Sequence, residues 1–284
     1  MERLRILAAV AAFSLAAVPA DAGVAGRTAH AMTAPTAAGG THIYVGSGGN
    51  QTVTVYADGV NNPTWTRSYF YGTIPTGVAV DSHGRIYIAG DQYVVEFRPG
   101  ARKPYRVLTD GLSFAFTDAL DSQSTLYVED QMNGILEYPL GASKPSRTIN
   151  AKGVVGYGYV AVDNHDNLYV ANGSDVYEIP KGTSTVKPLH LGGLVSPAGI
   201  AFDAHDLMYI SNPGGIYVYA LGKRDPIRVI LTSYYPGGLC FDPSGLLYVV
   251  NYDTYTVYII GPHDSPFGSI TQGLYQVESV TVGV

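Results

Sequence analysis

The stretch Pro75-Thr76-Gly77-Val78-Ala79-Val80-Asp81-Ser82-His83-Gly84-Arg85-Ile86-Tyr87-Ile88-Ala89 decides the architecture, because it reads as a β-hairpin and because it recurs. An apolar run ends in Asp81, a polar Ser-His-Gly turn reverses the chain, and an aliphatic-Tyr run follows. β-branched and aromatic residues bounded by turn formers are the signature of paired strands. The Asp returns as Asp121, Asp163, Asp203 and Asp242, and the Tyr as Tyr127, Tyr169, Tyr209 and Tyr248. A period of about forty residues marks a repeat architecture.

Working outward, each unit continues into a third strand, expected at Tyr93 to Phe97, Gly134 to Tyr138, Asp175 to Ile179, Gly215 to Tyr219 and Thr254 to Tyr258. Gly100, Gly141, Gly182, Gly222 and Gly261 follow. Pro104, Pro145, Pro226 and Pro266 then open a fourth strand, where a missing N–H is tolerated. No segment from Tyr93 to Gly182 has helical apolar spacing. Four short strands per unit make a propeller blade. Before the first complete unit, Ile43-Tyr44-Val45 and Thr52 to Tyr56 match second and third strands, with Gly59 and Pro63 repeating the later spacing. The innermost strand missing there is supplied by Ser279-Val280-Thr281-Val282 at the far end of the chain. The expectation is an all-β, six-bladed β-propeller of four-stranded antiparallel blades, closed by the C-terminal strand joining the N-terminal blade. Its innermost strands are centred on Ala79, Ala119, Ala161, Ala201, Cys240 and Thr281, all small because blades converge on the axis. Cys240 is thus read as a core filler rather than a reactive thiol.

Composition agrees with one large core: 46% of the 284 residues are hydrophobic and only 14% charged. With a single cysteine, no intramolecular disulfide supports the fold. The net charge of −6 and the scatter of the basic residues argue against nucleic acid as a partner. At the start, Arg3 and Arg5 precede an apolar run from Ile6 to Val18 and the triplet Ala20-Asp21-Ala22. That order reads as a secretory signal peptide over residues 1–22, too short for a membrane span. Residues 23–40, rich in Ala, Thr and Gly, read as a flexible leader, and residues 41–284 as the propeller. The expected product is a monomer, secreted or periplasmic.

The pattern Pro-x-Gly-aliphatic-x-aliphatic-Asp, clearest from Pro75-Thr76-Gly77, Pro197-Ala198-Gly199 and Pro236-Gly237-Gly238, resembles the NHL-repeat propellers and their gluconolactonase and regucalcin-like relatives over residues 41–284. That group includes scaffolds, ligand binders, lactonases and lyases on one fold. The resemblance to the lactonases implies a catalytic divalent metal held by a Glu, an Asn and an Asp at strand-one entrances. Glu278 matches the Glu, whereas Gly158, Ala198 and Gly237 depart from the expected set.

Residues opening strand one and ending strand two meet on one face, around the mouth of the axial channel. The ligand-binding candidates on that face are Glu278, Asp130, Asn172, Asn212, Asn251, Ser47, Thr76 and Phe116. Their oxygens suit Ca²⁺ or another divalent metal, with Glu278 and Asp130 as the charged members. Asn and Asp at strand ends also cap turns through their own backbone. His83, His165 and His205 share one turn on the opposite face of three different blades, which reads as turn chemistry rather than a zinc site. Tyr69, Phe70, Tyr71 and Tyr234-Tyr235 stand outside the repeat register as stacking surfaces or blade packing. The pattern supports a non-catalytic exported propeller binding a small molecule, glycan or protein at the mouth, with a divalent-metal lactonase or lyase as the alternative.

Overall fold

The computed structural model describes residues 41–57, 65–68 and 74–283. The expected signal peptide and leader, and Gly59, Pro63, Tyr69, Phe70 and Tyr71, lie outside the described residues. Six four-stranded antiparallel sheets form a six-bladed β-propeller. Blade 1 runs outward from Val277–Gly283 through His42–Ser47 and Thr52–Ala57 to Trp65–Ser68. Blades 2 to 6 begin with the innermost strands Gly77–Val80, Ala115–Leu120, Tyr159–Val162, Gly199–Phe202 and Pro236–Phe241 and each takes its four strands in chain order. The only helical element among the described residues is a single turn at Pro262–Asp264.

The repeated Asp explains why each hairpin turns where it does. In all five complete repeats its Oδ1 accepts two backbone N–H groups of the turn, for Asp163 from His165 at 2.9 Å and Asn167 at 2.8 Å. The same pair of bonds recurs at Asp81, Asp121, Asp203 and Asp242. Its Oδ2 accepts the hydroxyl of the repeated Tyr six residues on, from 3.2 Å for Tyr169 to 3.5 Å for Tyr127. In blade 2, Arg85 takes that place on Asp81 at 2.6 Å. The third residue after each Asp, Gly84, Ser124, Asp166, Asp206 or Gly245, holds a positive φ between 59° and 85°. Small or turn-forming residues are required there. The histidines at 83, 165 and 205 therefore serve this turn through their backbone, with exposed side chains.

Strand ends depart from expectation in two ways. Pro104, Pro145 and Pro226 sit one residue before the outer ladder begins, where the N–H groups of Tyr105, Ser146 and Ile227 make the first bonds. In blade 6 the third strand starts at Thr256 rather than Thr254, because Tyr255 adopts a φ of 55°.

Six apolar clusters fill the six seams between neighbouring blades. The seam between blades 6 and 1 contains Ile43, Val45 and Tyr56 against Tyr248, Val250 and Ile259, with Val277 and Val280 of the closing strand between them. The closing strand pairs with His42–Ser47 along its length. It thus combines a backbone ladder with burial of two valines, each contributing about 1.5–3 kcal/mol. A chain ending at Gln276 is expected to lose the cooperative thermal transition of the intact protein or to unfold at a clearly lower midpoint. Calorimetry showing coincident transitions would refute closure by this strand.

Candidate functional site

The innermost strands enclose an axial cavity of about 270 Å³, lined by Ala79, Ala119, Ala161, Ala201, Cys240 and Thr281, one from each blade. Small residues keep this space open, and burial pushes the Cys240 thiol well up, consistent with an inert filler. Three of the six innermost strands carry a β-bulge at the end nearest the mouth. Phe116 is the extra residue opposite Asp130 and Glu129, Glu278 the extra residue opposite Ser47 and Gly46, and Gly237-Gly238 together face Val250. A bulge breaks strict alternation and re-aims a side chain, and bulges concentrate near functional sites.

Around the mouth these bulges bring aromatic rings together. Phe116 packs edge-on against Tyr157 at 5.2 Å and Tyr159 at 5.3 Å. Tyr235 stacks on Tyr252 with ring centroids 6.0 Å apart. Gly237 makes room for Tyr252, since a Cβ there would stand 2.5 Å from its ring. Tyr252 leans toward the carbonyl of Glu278 at 3.5 Å and interacts through its hydroxyl with Tyr159. Burial pushes Tyr159 up to about 12 and Tyr252 well above its ordinary value. A pocket of about 490 Å³ beside the channel is lined by Tyr157, Tyr159, Tyr235, Tyr252, Asn172 and Ser196, among others, and shares Tyr159 with the axial cavity.

The expected site residues divide between this mouth and the loops that frame it. Glu278 and Thr76 line the axial cavity, and Phe116 touches the aromatic cluster. Asp130 is wholly buried and accepts the N–H groups of Ser113, Phe114, Met132 and Asn133. Asn212 accepts from Val195 and Ser196 in the preceding loop, and Asn251 caps its own turn through Asp253 and Thr254. Asn172 donates to Val155 and also lines the aromatic pocket. Ser47 is fully buried. Asp130, Asn212 and Asn251 thus hold loops with the oxygens that a ligand would need. At the strand-one entrances Gly158, Ala198 and Gly237 offer no side-chain oxygen beside Glu278, so the side chains there do not supply the Glu, Asn and Asp set that the lactonase resemblance implies.

Two further carboxyls were not legible as site residues. Asp118 stands where the other blades carry Val78, Val160, Ile200, Leu239 and Val280, and Glu129 where they carry Ala89, Ala171, Ser211, Val250 and Gly46. Neither has a hydrogen-bond partner for either carboxyl oxygen. Asp118 faces Gly77 of blade 2, whose missing Cβ leaves room for Oδ1, and Glu129 packs under Gly158 of blade 4. Burial drives Asp118 well up and Glu129 to about 9. Burial alone raises Glu278 to about 7. The break in the repeat, a carboxyl where the other blades carry aliphatic residues (Asp118) or mostly small ones (Glu129), was the sequence signal for both.

The fold and mouth define the class: a six-bladed β-propeller with an aromatic and acidic opening on one face. The beta-propeller repeat family (SBBP) matches residues 69–91. A solved structure of a nidogen/laminin complex superposes with a TM-score of 0.74 at 15% identity, covering 86% of this chain and 99% of the other. A protein of unknown function from Bacteroides caccae superposes with a TM-score of 0.71 at 13% identity, again covering 86% and 99%. These likenesses show the fold. No curated protein sequence matches the chain. Among the described residues no helix is long and apolar enough to cross a membrane.

A pH dependence follows from the buried carboxyls. Folded Glu129 keeps a proton that the unfolded chain loses above its ordinary range near 4.5, so stability falls as pH rises toward about 9. The slope from one such group is about 1.4 kcal/mol per pH unit. Urea unfolding between pH 6 and 9 is expected to show this decline, and Glu129→Gln, neutral at every pH, to make it shallower, with Asp118 still contributing. An unchanged slope in the variant would contradict the burial of an ionisable group there.

Proposed function

We propose that this protein is an exported, non-catalytic NHL-like propeller that binds its ligand, a small molecule or glycan or the side chains of a protein, on the channel-mouth face. The carrying observation is the pocket of about 490 Å³ walled by Tyr157, Tyr159, Tyr235 and Tyr252. Tyrosine offers a flat apolar face with a polar tip, which suits a partner that must be stacked and hydrogen-bonded at once. The loops of the same face also expose Met132, Val155, Tyr157, Val195 and Tyr275, at 37% to 69% of their full surface. Exposed apolar side chains beside a pocket favour a binding surface. On the same rigid ring, Asp130, Asn212 and Asn251 hold the loops in place, so the pocket is formed before a ligand arrives.

The lactonase or lyase reading retains Glu278, whose carboxyl near 7 lies in the range useful for proton transfer. It requires turnover of a lactone panel with Ca²⁺, Mn²⁺ or Zn²⁺ that Glu278→Gln abolishes.

A thermal-shift screen of the purified protein against oligosaccharides and small polar metabolites tests the binding reading. A ligand at a hundred times its Kd stabilises by about 2.7 kcal/mol. Hits are expected to raise the midpoint by several degrees, and Tyr157→Ala and Tyr235→Ala to cancel the rise. Hits that survive both substitutions place the ligand elsewhere and overturn the assignment.

A further inference from the structure

We propose that the channel mouth receives an organic ammonium group, paired with the Glu278 carboxylate and flanked by the rings of Tyr159 and Tyr252. This deepens the mouth-face reading and rests on it. The linings of the axial cavity and the aromatic pocket together contain Asp118 and Glu278 but no Lys, Arg or His. Tyr159 lines both spaces, so its ring borders a ligand placed in either.

Glu278 is placed for this role by the bulge that makes it the extra residue of the closing strand. Its carboxyl takes part in no ion pair or side-chain hydrogen bond among the described residues, and burial is the sole cause of its raised value. Asp118, by contrast, has its oxygens sealed against Gly77, beyond the reach of a ligand in the cavity. Glu278 is therefore the carboxylate that a cation can meet.

Three ligand chemistries compete for such a group. A divalent ion requires about six oxygen ligands, and around this mouth the oxygens of Asp130, Asn212 and Asn251 already accept loop amides. A neutral sugar stacks on the rings but leaves a partly buried carboxylate without a counter-charge, which is unfavourable. An ammonium group needs only one carboxylate, and the faces of tyrosine rings attract it further through their quadrupoles. Tyr159 and Tyr252 both lie within electrostatic range of Glu278. The cavity of about 270 Å³ admits an alkylammonium or a choline-sized head, with the remainder of the molecule lying along Tyr157 and Tyr235.

The test uses choline and n-butylamine as charged probes, with the uncharged carbon isostere of choline and n-butanol as controls, at matched ionic strength. Binding is read by calorimetry or ligand-observed NMR on the wild type, Glu278→Gln and Tyr252→Leu, each checked for native circular dichroism. Charged probes are expected to bind at least tenfold more tightly than their neutral counterparts in the wild type. That ratio is expected to fall to near one in Glu278→Gln, and Tyr252→Leu to weaken the charged probes several-fold. Equal binding of charged and neutral probes, or a preference that persists in Glu278→Gln, overturns the inference. So does Ca²⁺ binding that depends on Glu278 and excludes the ammonium probes. If screen hits still require Tyr157 and Tyr235 while charge has no effect, the ammonium inference alone fails. If mouth substitutions affect neither hits nor probes, the mouth-face reading fails with it.

Discussion

The backbone ladder between Val277–Gly283 and His42–Ser47 is the constraint on which the remaining structure rests. A propeller is a ring of sheets touching through side chains, and such a ring is only as strong as its weakest seam. Here the seam between blades 6 and 1 holds Val277 and Val280, and the chain supplying them is covalently continuous with blade 6 while hydrogen-bonded into blade 1. Separating these blades means breaking strand pairs as well as exposing apolar surface. The same strand carries Glu278, so the element that closes the ring also presents the accessible mouth carboxyl. Closure and site geometry are mechanically one feature.

Within each blade the second constraint is local. The repeated Asp binds two turn amides and, in four of the five repeats, the Tyr hydroxyl six residues later. This made the architecture legible: the Asp and Tyr are tied to each other physically, so their spacing survives where other residues drift. Strand ends were less legible because they depend on backbone details invisible in residue type. Tyr255 in a left-handed conformation delays one strand, and a proline just outside the ladder looks the same in sequence as one inside it.

The mouth was legible only in part. Glu278 and Phe116 were accessible to reasoning because they occupy a position that repeats in every blade. The bulges were not, since each adds a residue without changing composition. For Asp130, Asn212 and Asn251 residue type offered two roles, ligand and turn cap, and their oxygens meet loop amides. The tyrosines hid for a different reason. Tyr159 replaces the glycine found as Gly77, Gly199 and Gly238, a departure easily lost among the repeat tyrosines, and Tyr252 depends on space left by Gly237.

Comparing the blades with one another separates scaffold from site. On the turn face, five repeats keep the same Asp and the same pair of amide bonds, which is what a purely structural demand produces. On the mouth face the blades diverge: Phe116 in blade 3, Tyr159 in blade 4, Tyr252 in blade 6 and Glu278 in the closing strand each break the local pattern. Asp118 and Glu129 break it too, at a cost in stability, because an unpartnered buried carboxyl must hold its proton or be desolvated as an ion. A ring whose blades are otherwise interchangeable has no packing reason to place these unlike groups near one opening. Departures that weaken or complicate a repeat and gather at one face are the pattern expected of a functional site, and they are what the proposed mouth-face reading builds on.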